Sequence, residues 1–322
     1  MIVSVGICAY NEEKNIGRLL DAIKSQNLDK ASIKEIFVIS SGSYDNTEAI
    51  VMSYAERASR IKLLRQKTRR GKASAVNEFL KHASGEICLL ISADVIPEKD
   101  AVEKMCLAFM DESVGMVGGQ VVPSNRQDSF MGFVGHMLWG MHHKISLKSP
   151  KLGEMAAFRN VIKSIPEDTA TDEAFIEASI RNQRYQLKYV PEAIVHNRAP
   201  ETVADFLRQR RRIYTGHLDL KKRFGYRTST MSAKVLLPIA LSYFGWSPRR
   251  NLWAMGTIIL EAYGRYLGWH DYNIKKKYHA VWDIIPTTKD VSGSGLRERN
   301  RPPIEIPSSP QKDDNAPQVK GR

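Results

Sequence analysis

The stretch Gly71–Asp94, GKASAVNEFLKHASGEICLLISAD, limits the possible folds more than any other part of this chain. Ala73, Val76, Phe79, Leu80 and Ala83 recur at helical spacing, and Gly85 breaks the pattern. Ile87-Cys88-Leu89-Leu90-Ile91 follows as a short continuous apolar run, the signature of a parallel strand covered on both faces. Ligands of open α/β sheets bind beyond the carboxyl ends of the strands. Asp94 therefore falls where chemistry is usually done, with Lys72 one helix and one strand before it. The pair suits an anionic ligand held together with a metal.

The first half repeats this alternation. Ile2–Cys8 reads as a strand, and Glu12–Gln26 as a helix carrying Ile16, Leu19, Leu20 and Ile23 on one face. Glu35–Ser40 is a second strand, followed by a Ser-Gly-Ser turn and a helix from Asn46; Ile61–Leu64 is a third. Repeated βαβ units predict an α/β fold with a mostly parallel, Rossmann-like sheet and right-handed crossovers. Past Val114–Gly118 the alternation fades, and helices are expected around Asp172–Arg181 and Glu201–Phe224. No internal repeat is visible.

The composition changes at Val235. VLLPIALSYFGW and NLWAMGTIILEAYGRYLGW are apolar but interrupted, and neither is an unbroken run of the roughly 20 apolar residues that a membrane-crossing helix needs. Trp246, Trp253 and Trp269, with Arg249, Arg250 and the lysines at 275–277, suit an element lying in a membrane interface. The alternative is a pair of core helices packed on the first domain. The expected organisation is a catalytic domain over 1–230, a helical interfacial region over 231–285 and a disordered tail over 286–322, where Pro, Ser and charge dominate.

At 322 residues the chain can bury a sizeable core, and a net charge of +13 points to anionic partners: phosphate, nucleic acid or a lipid surface. Cys8, Cys88 and Cys106 form no CxxC pair, which favours a reducing compartment over a structural metal. The N-terminus enters a strand directly, without a signal-peptide pattern. The expected location is the cytoplasmic face of the cell membrane, or the cytoplasm.

Six short motifs occur in order: AYNEE (Ala9, Tyr10, Asn11, Glu12, Glu13), SSGSYDNT (Ser40–Thr47), GK (Gly71, Lys72), SAD (Ser92–Asp94) and, further on, TDE (Thr171–Glu173) with QRRRI (Gln209–Ile213). Together they resemble the family 2 glycosyltransferases, whose fold is the GT-A nucleotide-sugar fold, over about Ile2 to Gly225. The resemblance implies an inverting, nucleotide-sugar-dependent transferase. AYNEE, Ser41, Gly71, Lys72 and Asp94 would hold the donor, Asp94 would hold Mg²⁺ or Mn²⁺, and Gln209 with Arg212 would face the diphosphate or acceptor. TDE falls where that family has its catalytic Asp, which assigns Asp172 as the base.

The chemistry agrees on its own terms. A diphosphate leaving group needs metal, Lys or Arg to neutralise its charge. Hard oxygen ligands such as Asp94 suit Mg²⁺ or Mn²⁺. An acceptor hydroxyl needs a base, and Asp172 at a helix start is a suitable carboxylate, its other reading being an ordinary cap. Arg212 offers a bidentate phosphate contact, whereas Arg208, Arg210 and Arg211 read as a solvated basic face.

Several positions depart from the pattern. Ser40 and Ser41 replace the turn's usual Asp pair, which removes a carboxylate contact to uracil. Ser92 replaces the first Asp of DxD and leaves Asp94 as the one acidic ligand there. Ile213 stands where processive synthases have Trp, which argues against polymerisation. Cys8 occupies a frequent Pro position.

Acceptors in keeping with this reading are a glycan or a lipid-linked molecule at a membrane surface, a polyprenyl phosphate among them. Rival readings are a member that binds without turnover and a basic nucleic-acid or membrane-binding protein. No GxGxxG follows the first strand, no GxxxxGK[ST] is present, and no nucleic-acid motif with interleaved aromatics accompanies the charge. His136, His142 and His143 are a weak candidate for a metal cluster, in a stretch that reads as a packed surface.

Overall fold

The structure, a computed structural model, describes residues 1–279, 281–282 and 285–290. Its centre is strand β1 (Ile2–Ala9), which pairs in parallel with β2 (Ser32–Ser41) on one side and β4 (Ile87–Ser92) on the other; β3 (Ile61–Gln66) extends the parallel half beyond β2. Val3, Val5 and Ile7 point into one apolar layer, with Ile16, Leu19, Leu20 and Ile23 of α1 (Ile16–Lys24). The opposite face of the sheet meets Ala73, Val76 and Phe79 of α3 (Lys72–His82). Gly6 is where these layers come closest: a Cβ there would lie 2.5 Å from the Phe79 ring. Helix α2 (Thr47–Arg57) joins β2 to β3. The α/β half expected from the sequence is thus present, with strands a few residues longer than read.

The other half of the sheet is mixed rather than parallel. β5 (Val95–Pro97), β6 (Val114–Pro123), β7 (Met155–Arg159) and β8 (Gln186–Asn197) complete eight strands in the order β3-β2-β1-β4-β7-β6-β8-β5. β7 runs antiparallel to both β4 and β6, while β6 and β8 are parallel. The βαβ pattern fades in sequence here because strands that are neighbours in space are separated by α4 (Ala101–Leu107), α5 (Phe130–Ser146) and α6 (Asp172–Asn182) rather than joined by regular crossovers. Cys8, Cys88 and Cys106 are free thiols.

Helix α7 (Val203–Phe224) starts with the Thr202 hydroxyl accepting the Asp205 N–H at 3.1 Å and ends at Gly225, whose φ of +68° suits glycine. Helices α8 (Ala233–Leu241) and α9 (Pro248–Asn273) follow. One face of α9 packs along α7, where Gly264 and Gly268 allow close approach: a Cβ at Gly268 would lie 2.8 Å from the Arg211 carbonyl oxygen. Ion pairs stitch the seam, Arg211 to Asp271 at 2.7 Å and Arg210 to Glu261 at 3.3 Å. Arg210 and Arg211 are therefore not members of a solvated basic face. The other side of α8 and α9 is exposed, with Trp246 at 103 % and Leu252 at 72 %. The region is a packed layer on one face and an apolar surface on the other. Among the described residues no helix is long and apolar enough to cross a membrane.

Residues 286–290, the start of the expected disordered tail, are ordered. Pro286–Thr288 is a 3₁₀ turn, the Thr287 hydroxyl donates to Asp205 Oδ2 at 2.7 Å, and Thr288 is buried. These contacts outweigh the Pro- and charge-rich composition that suggested disorder. Residues 291–322 lie outside the described residues.

Candidate active site

The carboxyl ends of β1, β2 and β4 open into a cavity of about 610 Å³. Its wall includes Ala9, Tyr10, Glu12, Ser41, Gly71, Lys72, Asp94, Gln209 and Arg212, so residues scattered over some two hundred positions converge. Asn11 stands behind them. It takes a left-handed φ of +53°, an unusual conformation for a residue with a side chain. The strain is held by the SSGSYDNT turn: the Asn11 N–H donates to Ser43 Oγ at 3.2 Å, and Asn11 Oδ1 accepts from Tyr44 N–H at 3.1 Å. The Glu12 N–H donates to Thr47 Oγ1 at 2.7 Å. Ser41, where an Asp was the familiar residue, spends its hydroxyl on Gln66 Oε1 at 2.8 Å.

Gly71 has φ +90°, so only glycine adopts this turn without strain, and the turn launches Lys72 as the first residue of α3. The Lys72 ammonium pairs with Glu173 and lies 3.1 Å from Asp172 Oδ2. Burial opposes its charge, but the two carboxylates outweigh burial and hold the lysine protonated.

The TDE segment divides its labour differently from the sequence expectation. Asp172 is 1 % exposed and does not line the cavity, whereas Glu173, one residue on, does. Neither Asp172 oxygen makes a hydrogen bond of good geometry, although Lys72 is within ion-pair range. Burial first, then the charge of Glu173, push the Asp172 carboxyl up to about 7. Burial acts in the same direction on Glu173, but Lys72 overrides it and keeps that carboxylate ionised. At the first turn of α6, successive side chains diverge by about 100° (3.6 residues per turn), and here Glu173 falls on the cavity wall while Asp172 is turned into the protein.

Across the cavity Asp94 carries a carboxylate with no hydrogen bond or ion pair among the described residues. Glu12 and Glu154 flank it, and each is pushed up to about 7 by burial and then by Asp94. Glu154 also has a left-handed φ of +58°. Mutually repelling acids around a free carboxylate fit a divalent cation, which would relieve the repulsion. No three His, Cys, Asp or Glu side chains among the described residues form a closed cage, so donor phosphates and water would complete the shell. His136, His142 and His143 form no such group: His136 bonds the Asn125 carbonyl and His143 the Tyr189 hydroxyl.

Three contributors escaped the sequence reading besides Glu173 and Glu154. Trp282 stacks on Arg212, with the guanidinium carbon 3.6 Å from the ring centroid, and its carbonyl accepts from Arg69. Arg69 in turn lies 3.9 Å from the centroid of Tyr10. Lys289 donates to the Tyr10 carbonyl at 3.1 Å and pairs with Glu12. A single half-buried Trp and a single Lys in a stretch of mixed composition carry no periodic or motif signal. Arg212 is lowered to about 10 by burial, against which Glu154, Glu173, Asp172 and Asp94 all act. It remains a cation beside four acids.

The family model for glycosyl transferase family 2 matches residues 4–166, and that for glycosyl transferase family group 2 matches residues 87–263. A poly-beta-1,6-N-acetyl-D-glucosamine synthase of Staphylococcus epidermidis is 25 % identical over 260 residues, covering 76 % of this chain and 62 % of its own length. The probable glycosyltransferase YdaM of Bacillus subtilis is 31 % identical over 238 residues, 67 % of this chain and 55 % of its own. The chain thus spans less than two thirds of the length of these curated relatives. Among solved structures, the mannosyltransferase PcManGT of Pyrobaculum calidifontis, in complex with GDP-Man and Mn²⁺, superposes with a TM-score of 0.61 at 23 % identity, covering 85 % of this chain and 88 % of that one. The mixed sheet with flanking helices is accordingly a GT-A fold.

Proposed function

The chain belongs to glycosyl transferase family 2, and from that premise we propose that it moves a sugar from a nucleotide-sugar donor to an acceptor hydroxyl, with inversion and with a divalent cation. The observation that carries this reading is the gathering, in the wall of one cavity, of the Asp94 carboxylate and the Lys72–Glu173 pair. The donor lies over AYNEE, Gly71 and Lys72, with Asp94 holding the cation. That cation, when bound, neutralises charge on the leaving diphosphate. Arg212 adds a fixed guanidinium for the same charge, with Gln209 beside it on α7. Lys289 places a further ammonium beside Tyr10 and Glu12.

Glu173 faces the acceptor and takes its proton as the hydroxyl oxygen attacks the anomeric carbon and the carbon–oxygen bond to the diphosphate breaks. Asp172, whose carboxyl titrates higher, is the place in the pair where that proton lodges. This revises the assignment of Asp172 alone as the base, because it does not reach the cavity. One carboxylate base opposite the leaving group gives a single in-line displacement, hence inversion.

The acceptor is a glycan or lipid-linked molecule met at a membrane surface, with the protein attached peripherally at its cytoplasmic face. The exposed Leu237, Leu241, Trp246, Leu252 and Ile259, with Arg249 and Arg250 at the start of α9, support contact with an anionic bilayer. Nucleic acid is not proposed as a partner.

Thermal unfolding against a panel of nucleotide sugars, with and without Mn²⁺, tests the donor. At least one nucleotide sugar should raise Tm, and more so with Mn²⁺. A flat response to every nucleotide sugar in both conditions would contradict the reading.

A further inference from the structure

The cavity wall extends past the residues used above, and this further part has another character. Met137 and Met141 of α5, Leu236 and Ala240 of α8 and Ile258 of α9 make it apolar. Arg210, Arg265 and His217 line the same cavity. Arg210 and Arg265 share the single carboxylate of Glu261, at 3.3 and 2.8 Å, which leaves one positive charge in excess. The nearby Lys151 is balanced by Glu177 at 3.0 Å. His217 is 8 % exposed, and its ring makes no hydrogen bond among the described residues. A buried polar group without a partner is costly, and such groups in native proteins are met by water or ligand.

The geometry points to an amphiphile as the occupant: a hydrocarbon chain among α5, α8 and α9, and a head carrying both a phosphate, met by Arg210, Arg265 and His217, and a free hydroxyl that reaches Glu173. Each part follows from a separate observation. The apolar wall calls for hydrocarbon, since apolar surface left against water is unfavourable. The surplus guanidinium charge beside a neutral buried imidazole calls for an anion with acceptor oxygens. The base calls for a hydroxyl, and here the inference rests on the glycosyl-transfer reading. The compartment also abuts the exposed face of α8, where Leu237 both lines the cavity and is 59 % exposed, so a lipid has a path in from a bilayer. Two sources share this chemistry, a glycerophospholipid and a lipid-linked sugar diphosphate.

The test uses the full chain and displacement of dansylundecanoic acid. The probe should bind saturably. Lysophosphatidylglycerol or an isoprenyl-diphosphate N-acetylglucosamine should displace it, and whichever does so at lower concentration identifies the source. A monoacylglycerol, which lacks the phosphate, should be at least tenfold weaker. Ala240→Phe and, independently, Leu236→Trp should each weaken the probe at least tenfold while nucleotide-sugar thermal shifts stay unchanged. Absence of saturable binding, wild-type probe affinity in both variants, or equal displacement by the monoacylglycerol would overturn the proposal. Saturable amphiphile binding by a protein that no nucleotide sugar stabilises would instead sink the transferase reading and leave the compartment standing.

Discussion

At Lys72 one ammonium serves two carboxylates, and the site's acid–base chemistry follows from that sharing. Glu173 is held ionised on the cavity wall, while Asp172, buried behind it, is pushed up to about 7. Only the pair with Asp172 deprotonated has room for the acceptor's proton. Transfer should therefore rise with pH through about 7 and fall off below it, since protonation of a raised carboxyl removes the base form. Glu173→Gln should lower transfer by roughly 10²-fold or more with donor affinity kept, and Asp172→Asn should remove the acid limb of the pH profile. Retention of that limb in Asp172→Asn would assign it to Glu12 or Glu154. The motif order located this pair, but not which member faces the cavity. The reason is local: residue type and spacing identify the first turn of a helix, whereas side-chain direction depends on how α6 is rotated against β8 and α3.

Among the elements, α9 carries the most consequence for its sequence. Its apolar stretch contains Glu261 and Arg265, which interrupt any membrane-spanning reading; Glu261 pairs with Arg210 of α7, and Arg265 pairs with Glu261 and lies over the Tyr214 ring of α7. The glycines on that seam are required by packing, because the Arg211 backbone lies against Gly268 and the Arg210 side chain against Gly264. Gly268→Val should wedge α9 from α7 and lower stability by about 1–3 kcal/mol, as overpacking typically does. A thermal melt indistinguishable from wild type would mean that the seam is not rigid. The β1–β4 half was legible because short β-rich apolar runs alternate with helices in regular βαβ units. The β6–β8 half was not, because β7 runs antiparallel between β4 and β6 and the connections there are not regular crossovers. Residues 286–290 were misread because their order comes from Asp205, Tyr10 and Glu12, and no local pattern announces tertiary contacts of this kind.

For the molecule as a whole, charge and apolar surface are distributed unevenly. The attachment to anionic membranes proposed above rests on a net +13 and an exposed apolar face on α8–α9, with an expected contribution of about 1 kcal/mol per basic residue near the surface. The full chain should float with phosphatidylglycerol vesicles at low salt, and Trp246→Ala with Leu252→Ser should reduce the floated fraction without altering donor-induced thermal shifts. Equal recovery of both proteins in the soluble fraction would exclude that face as the contact.

The central claim is that this cavity breaks a sugar–diphosphate bond with Asp94 holding the cation and Glu173 acting as base. Release of nucleoside diphosphate from the nucleotide sugar that stabilises the protein most, followed with Mn²⁺ and an amphiphilic acceptor, addresses it directly. Wild type should release diphosphate in proportion to glycosylated acceptor, Asp94→Ala should lose the Mn²⁺-dependent part, and Glu173→Gln should bind donor without turnover. Undiminished, Mn²⁺-stimulated release by Asp94→Ala, or normal turnover by Glu173→Gln, would contradict it.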